Sequence, residues 1–134
     1  LRRTVLSNTD GSYTAQTTMP VGYGCPPEGT TQFVLNKLGR HGNRPSHVHY
    51  FVSAPGYRKL TTQFNIEGDK YLWDDFAFAT RDGLVATAMD VTDATEIERR
   101  GVKEAFKHIQ FNVELVKDAA TAPSTEVDRR RVSA

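Results

Sequence analysis

Three side chains of metal-ligating type stand close together in the sequence. Tyr23 lies in a loop rich in glycine and proline, and His47 and His49 follow it as a His-x-His pair. Imidazole nitrogen and phenolate oxygen both bind transition metals. Tyr23, His47 and His49 are therefore the candidate metal ligands of this chain.

The histidine pair is predicted to lie on a β-strand. Segment 47–53 (HVHYFVS) is rich in β-branched and aromatic residues and ends before Ala54-Pro55-Gly56, which is typical of a turn. Because side chains alternate along a strand, the two imidazoles share one face, with backbone attachments roughly 6.6 Å apart at about 3.3 Å per residue. They can converge on one ion, although the spacing alone leaves a structural or surface role open.

The loop around Tyr23 suits a positioned side chain better than a core aromatic. Gly22 and Gly24 free the backbone on either side, and Pro26 and Pro27 stiffen the end of the loop. A tyrosine that ligates a metal must ionise, which means moving a pKa near 10 below 7 at a cost of roughly 4 kcal/mol. A hard, highly charged cation offsets that cost. Ferric iron therefore ranks above zinc for a site of phenolate and imidazole.

Two further residues have both a structural and a functional interpretation. Arg44 stands three residues before His47 and is either a surface arginine or a fixed cation beside a metal. Gln63 lies near the middle of a second predicted strand, 60–66, and either faces solvent or shares the face of the histidines.

Other residues of catalytic type are expected to have structural roles. His41 is expected to be an exposed loop histidine, and Cys25 a small packed loop residue. The adjacent carboxylates Asp74 and Asp75 are expected to cap backbone or face water, because adjacent carboxylates rarely form an acid and base pair.

Composition restricts the class of protein. The 134 residues, 38% hydrophobic and 25% charged, predict one globular domain. Seventeen basic residues are interleaved with 16 acidic ones for a net charge of +1, which disfavours a nucleic-acid partner. The single cysteine excludes an intrachain disulfide, and no apolar stretch approaches the length of a membrane span. We expect a cytoplasmic protein.

Short strands between turn signals, with little helix, predict an all-β fold, namely an antiparallel β-sandwich with irregular loops and one or two short helices. The predicted strands are 1–6, 12–18, 47–53, 60–66, 84–89 and 108–115; the predicted helices are 31–38 and one opened by a capping box at 93–96. The sandwich is expected over 1–118, followed by a polar tail over 119–134. Because a hairpin at residue 1 leaves its outer edge unpaired, we expect further sequence upstream.

Two long runs carry a resemblance to a known family. The run GYGCPPEG at 22–29 and the segment 38–84, from LGRHGNRPSHVHY to ATRDGL, resemble the catalytic domain of the intradiol ring-cleaving dioxygenases, most of all the catechol branch. The resemblance implies a β-sandwich carrying non-haem ferric iron. It also implies the cleavage of catechol by dioxygen between its two hydroxyl-bearing carbons to give cis,cis-muconate.

The resemblance also implies a role for each candidate residue. The family's iron is held by two tyrosines, two histidines and a solvent hydroxide. Tyr23 matches the second, axial tyrosine, His47 the equatorial imidazole and His49 the axial one. Arg44 and Gln63 match positions that flank bound substrate.

The family's first tyrosine lies upstream of residue 1, as does the N-terminal helical domain that forms its dimer interface. The resemblance therefore implies that this chain is the C-terminal piece of a homodimeric enzyme, completed by a preceding segment. Two alternatives remain at this point. One is a zinc hydrolase that uses the histidine pair with a third histidine or a carboxylate, and the other is a non-catalytic β-sandwich binding module.

Overall fold

The computed structural model describes residues 3–119, which form seven short strands and two short helices. The strands are β1 Tyr23–Gly24, β2 Asn43–Arg44, β3 His47–Val52, β4 Leu60–Ile66, β5 Val85–Ala86, β6 Ala88–Val91 and β7 Phe106–Ile109; the helices are α1 Thr30–Lys37 and α2 Ala94–Arg99. The all-β prediction with one or two short helices is confirmed. The predicted tail, from residue 120 onward, lies outside the described residues.

Strands β3 and β4 are the longest strands and form a hairpin. Their bounds match the predicted strands 47–53 and 60–66 to within one residue. The two strands pair antiparallel, in a register that places His47 opposite Asn65 and His49 opposite Gln63. The connection between them includes Gly56, whose φ of 78° lies in the left-handed region that glycine adopts without strain.

The two faces of this hairpin carry different residues, because side chains alternate along each strand. Apolar residues of one face form the hydrophobic core together with residues from later in the chain. The hairpin contributes Val48, Tyr50, Phe64 and Ile66, and the later residues are Ala86, Ala88, Ile109 and Phe111. The rings of Phe64 and Phe111 stack with their centroids 4.5 Å apart. The opposite face carries His47, His49, Gln63 and Asn65, so the sheet separates the core from the polar residues of interest.

One pairing differs from a wholly antiparallel sheet. Strand β5 pairs with β4 in parallel, Asn65 opposite Val85, and the predicted strand 84–89 is divided at Thr87 into β5 and β6. Strand β6 pairs antiparallel with β7 instead. The ladder begins with Ala88 opposite Ile109, so residues after Ile109 have no partner in it. The predicted strand 108–115 is therefore wrong beyond Ile109, and β7 spans Phe106–Ile109.

The predicted hairpin of strands 1–6 and 12–18 is wrong within the described residues. The turn is present, since the Asn8 N–H donates to the Ser12 carbonyl oxygen at 2.8 Å, but residues 3–18 form no strand. The segment contacts the body through side chains. The Tyr13 hydroxyl donates to the Phe111 carbonyl oxygen, and Gln16 Nε2 donates to the Arg100 carbonyl oxygen at 2.9 Å.

Both helices lie where the sequence predicts them. Helix α1 starts one residue earlier than predicted, after Gly29, and the chain leaves it through Gly39 at φ 65°. Helix α2 has the predicted cap, in which Asp93 Oδ1 accepts the Glu96 N–H at 2.9 Å. Neither of these helices has the length and apolar character that a membrane crossing requires.

Candidate functional site

Tyr23 and Arg44 are cross-strand partners in the two-residue ladder of β1 and β2. The ladder brings the glycine and proline loop against the segment that enters β3. A Cβ on Gly22 would lie 2.7 Å from the Arg44 carbonyl oxygen, so only glycine permits this approach. Tyr23 remains 53% exposed, which leaves its side chain accessible from the open side of the site.

The two histidines lie together on the polar face of β3. Their ring centroids are 4.9 Å apart at an interplanar angle of 88°, and the Tyr23 ring centroid is 5.5 Å from that of His47. His47 Nδ1 lies 2.7 Å from the Pro45 carbonyl oxygen. Because a carbonyl oxygen only accepts hydrogen bonds, Nδ1 carries the proton and Nε2 carries the lone pair that a metal ligand needs.

His49 is exposed and lies beside two basic side chains. Partial burial lowers the pKa of His49, and the nearby charges of His47 and Arg44 lower it further. The shift favours the neutral imidazole, which is the form that ligates metals.

The guanidinium of Arg44 joins the phenol, an imidazole and the amide of Gln63. Its Nη1 atom lies 3.4 Å from Tyr23 Oη and 3.3 Å from His47 Nε2, and Nη2 donates to Gln63 Oε1 at 3.0 Å. Arg44 is only 9% exposed, so it is not a surface arginine. Gln63 is also buried and shares the face of the histidines.

Asp75 holds the other side of this guanidinium. Arg44 Nε donates to Asp75 Oδ1 at 3.1 Å and Nη2 to Oδ2 at 3.2 Å. The same oxygens accept the Ala77 N–H at 3.1 Å and the Ala79 N–H at 3.2 Å. Burial works to raise the pKa of Asp75, but the hydrogen bonds from Arg44 and the two backbone amides outweigh it and lower that pKa.

The buried contact with Arg44 is what sequence reasoning missed about Asp75. The expectation for Asp74 is confirmed, since it is exposed and pairs with His41 Nε2 at 2.9 Å. Asp75 does accept backbone N–H groups, but its side chain is only 1% exposed. Its partner lies 31 residues away, and no local pattern in the sequence connects the two.

His41 is half-buried and not exposed as expected, whereas Cys25 has the packed loop position expected of it. His41 Nδ1 accepts the Asn43 N–H at 3.1 Å, and its ring lies against Tyr71 with centroids 4.9 Å apart. Cys25 is half-buried, and its N–H donates to the Gly42 carbonyl oxygen at 2.9 Å.

A cleft of about 390 Å³ opens beside Tyr23 and Arg44. Its other lining residues are Gly22, Gly24, Asn43, Asp69, Lys70 and Tyr71. Pockets for small organic ligands begin at roughly 300 Å³, so this cleft is large enough for a molecule of a single ring. Tyr23 and Arg44 line this cleft, whereas His47, His49 and Gln63 do not.

The donor atoms at this site are two imidazole nitrogens and a phenol oxygen. Within residues 3–119, no three or more side chains of His, Cys, Asp or Glu are arranged to hold a metal ion. A set such as a zinc hydrolase would use, two histidines with a third histidine or a carboxylate, is therefore not formed in that part of the chain. The mixed set of Tyr23, His47 and His49 fits a ferric ion, which prefers hard oxygen and imidazole donors.

A family model described as dioxygenase matches residues 1–117. This chain belongs to the intradiol dioxygenase family. A catechol 1,2-dioxygenase of Acinetobacter guillouiae is 76% identical over 123 residues, which are 92% of this chain and 40% of the relative. The solved structure of wild-type catechol 1,2-dioxygenase from Acinetobacter radioresistens matches with a TM-score of 0.87 at 80% identity, over 95% of this chain and 41% of that one.

A chlorocatechol 1,2-dioxygenase of Cupriavidus pinatubonensis is less similar, at 46% identity over 114 residues, which are 85% of this chain and 41% of the relative. The chain thus spans about 40% of the length of the curated relatives it matches. Membership of the intradiol family agrees with the sequence resemblance and with a β-sandwich architecture.

Proposed function

We propose that this chain forms part of the active site of an intradiol dioxygenase that uses non-haem ferric iron to cleave catechol with dioxygen to cis,cis-muconate. The observation that carries the proposal is that the buried guanidinium of Arg44 contacts both Tyr23 and His47, with the His49 ring beside that of His47. Family membership supports it, as does the identity of 76% with a relative named for this activity against 46% with one named for chlorocatechol.

The proposed iron ligands are Tyr23, His47 and His49. The hydrogen bond from His47 to the Pro45 carbonyl fixes the ring so that Nε2 can bind the metal. When bound, ferric iron draws electron density from a coordinated catechol and prepares the ring for attack by dioxygen.

The remaining chemistry falls to this chain's own groups. Tyr23, which bound iron would hold as a phenolate, would accept a proton from a catechol hydroxyl as the substrate binds. Arg44 holds a fixed positive charge where negative charge develops on the oxygens of the opening ring. Gln63 is kept in one orientation by Arg44 and by Asn65, whose Oδ1 accepts from Gln63 Nε2 at 3.3 Å.

Further parts of the proposal rest on the family resemblance. A segment preceding residue 1 supplies a second tyrosine ligand, and the complete protein is a homodimer. The chain alone would then bind iron weakly and turn over little catechol. The single cysteine, and not the resemblance, supports a cytoplasmic location.

The test is the visible absorption spectrum and the metal content of the complete protein, including any preceding segment. Tyrosinate bound to ferric iron gives a charge-transfer band, so we expect a coloured protein whose band shifts when catechol is added without oxygen. Replacing His47 or His49 by alanine removes the iron, whereas His41→Ala, a histidine outside the site, retains it.

Three other results would contradict the proposal. Zinc with hydrolase activity would indicate the hydrolase, and a metal-free protein that binds ligands without turnover would indicate the binding module. Full iron content in the His47→Ala variant would remove that residue from the ligand set.

A further inference from the structure

We propose that Asp75 is the positioning residue of the site, which holds the Arg44 guanidinium in the one orientation that serves the reaction. The inference rests on the proposed function, because Arg44 acts there on the substrate. Asp75 itself reaches neither the phenol nor the imidazoles, so it acts only through Arg44.

The Arg44 guanidinium and the Asp75 carboxylate form a bidentate ion pair. Asp75 receives one hydrogen bond from Arg44 Nε and another from Nη2, at 3.1 and 3.2 Å. Such two-point contact between a planar guanidinium and a carboxylate fixes the plane of the arginine as well as its position. Nη1 is left to point at Tyr23 and His47.

The carboxylate is itself fixed by the backbone. The Ala77 and Ala79 N–H groups each donate to one of its oxygens, and the Phe78 N–H donates to the Asp75 carbonyl oxygen at 2.8 Å. The loop after Asp75 thus directs two backbone N–H groups at this one side chain. A carboxylate with backbone donors on both oxygens has little freedom to rotate, so it passes a rigid geometry to Arg44.

Because both side chains are buried, breaking this ion pair is expected to cost more free energy than breaking an exposed one. The side chain of Asp75 is 1% exposed and that of Arg44 10%. Exposed pairs contribute little, but removing one partner of a buried pair leaves the other charge without compensation. Without Asp75 the guanidinium is expected to turn toward water or toward Gln63 and to leave Tyr23.

The first experiment is Asp75→Asn in the complete enzyme, with Asp74→Asn as the matched control. The control makes the same chemical change one residue away, at an exposed carboxylate. For Asp75→Asn we expect kcat and kcat/KM for catechol to fall together by about 10²-fold, because an interaction used in the transition state is misplaced. Asp74→Asn is expected to keep wild-type values. Wild-type kinetics in a folded Asp75→Asn variant would overturn the proposal.

A second experiment does not depend on the folding of that variant. Arg44→Ala leaves an empty space that faces an intact Asp75. Guanidinium at low millimolar concentration is expected to enter this space and to raise the kcat of the variant at least about tenfold. Urea has the same shape without the charge and is expected to restore nothing. In folded Arg44→Ala, equal rescue by both molecules, or rescue by neither, would mean that Asp75 does not hold the cation.

A third measurement separates this inference from the proposed function, because it needs no iron and no turnover. In the metal-free complete protein, the Arg44 side-chain Nε–H is expected to give a slowly exchanging signal in a ¹H–¹⁵N spectrum. Asp74→Asn keeps that signal and Asp75→Asn loses it. If the signal behaves in this way but the enzyme has no dioxygenase activity, the proposed function fails and the positioning role stands. If the signal exchanges fast in wild type, the positioning role fails.

Discussion

Arg44 lies opposite Tyr23 in the ladder of β1 and β2, and its Nη1 atom is 3.4 Å from Tyr23 Oη. The same atom is 3.3 Å from His47 Nε2. Negative charge on the phenol oxygen therefore lies next to a buried cation. The main chain sets this relationship, because the ladder pairs the two residues directly.

Arg44→Lys is expected to lower kcat for catechol by roughly 10²-fold, the loss typical of removing one donor that stabilises charge in a transition state. A lysine keeps the charge but is a single point, so it cannot contact Asp75, Gln63 and Tyr23 at once. Steady-state kinetics of the complete enzyme provide the measurement, and Arg58→Lys, at an exposed arginine, is the control. Unchanged kcat in Arg44→Lys would show that charge alone suffices.

Phe64→Ala is expected to lower the free energy of unfolding by about 3–5 kcal/mol, because the ring is 3% exposed and stacks on Phe111 in the core. Phe51→Ala makes the same change on the adjacent strand, where the ring is 63% exposed, and is expected to stay within about 0.5 kcal/mol of wild type. Urea unfolding of both variants checks this. Similar losses would mean that the core does not lie on the face that carries Phe64.

The sequence predicts β3 and β4 to within one residue, because each has β-branched and aromatic content and a turn follows β3. It is less informative about which face meets solvent. Gln63 and Asn65 are buried although they alternate with apolar residues. In β4 the apolar side chains therefore face the core, and the polar ones face the candidate site and not solvent. The rule that mid-strand glutamine faces solvent fails here for that reason.

The candidate ligands could be found from the sequence because Tyr23, His47 and His49 have types that ligate metals and the histidines a spacing that lets two of them converge. Asp75 could not. Its role depends on a contact 31 residues away, and a local pattern does not record contacts of that length. The parallel pairing of β5 with β4 is of the same kind, since short segments carry no signal of strand direction.

Glu96→Gln is expected to destabilise the protein at pH 7 and to have no effect at very low pH. Hydrogen bonds from Arg99 and then Arg100 lower the pKa of Glu96 from 4.5 to about 2. A carboxyl whose pKa is lower in the folded state contributes stability above its unfolded pKa. That contribution is lost as the pH falls from about 4.5 through about 2. Urea unfolding of wild type and variant across this range measures the difference.

The contact of Glu96 with Arg99 is exposed and that with Arg100 is part-buried, so high salt is expected to reduce the difference between wild type and Glu96→Gln at pH 7. Glu98→Gln, at an exposed position of α2, serves as the control. A difference between wild type and Glu96→Gln that persists unchanged at pH 2 would show that it does not come from the charge of Glu96.

Gly22→Ala is expected to displace Tyr23 and weaken metal binding, while Gly24→Ala leaves it nearly intact. The added Cβ at Gly22 would lie 2.7 Å from the Arg44 carbonyl oxygen, a backbone atom that cannot rotate away. At Gly24 the nearest atom is Asn43 Oδ1 at 2.9 Å, the end of a side chain that can turn aside. Overpacking of the first kind costs about 1–3 kcal/mol, here concentrated on the ladder that sets the position of Tyr23.

The measurement for both glycine variants is the iron content and the charge-transfer band of the complete protein, beside its thermal midpoint. Gly22→Ala is expected to lose band intensity, because a shifted β1 moves the phenol away from the histidines. Gly24→Ala is expected to keep it. Since neither glycine has a φ in the left-handed region, the two variants differ in contact and not in backbone strain. An equal loss in both would mean that flexibility of the loop, and not the close approach at Gly22, positions Tyr23.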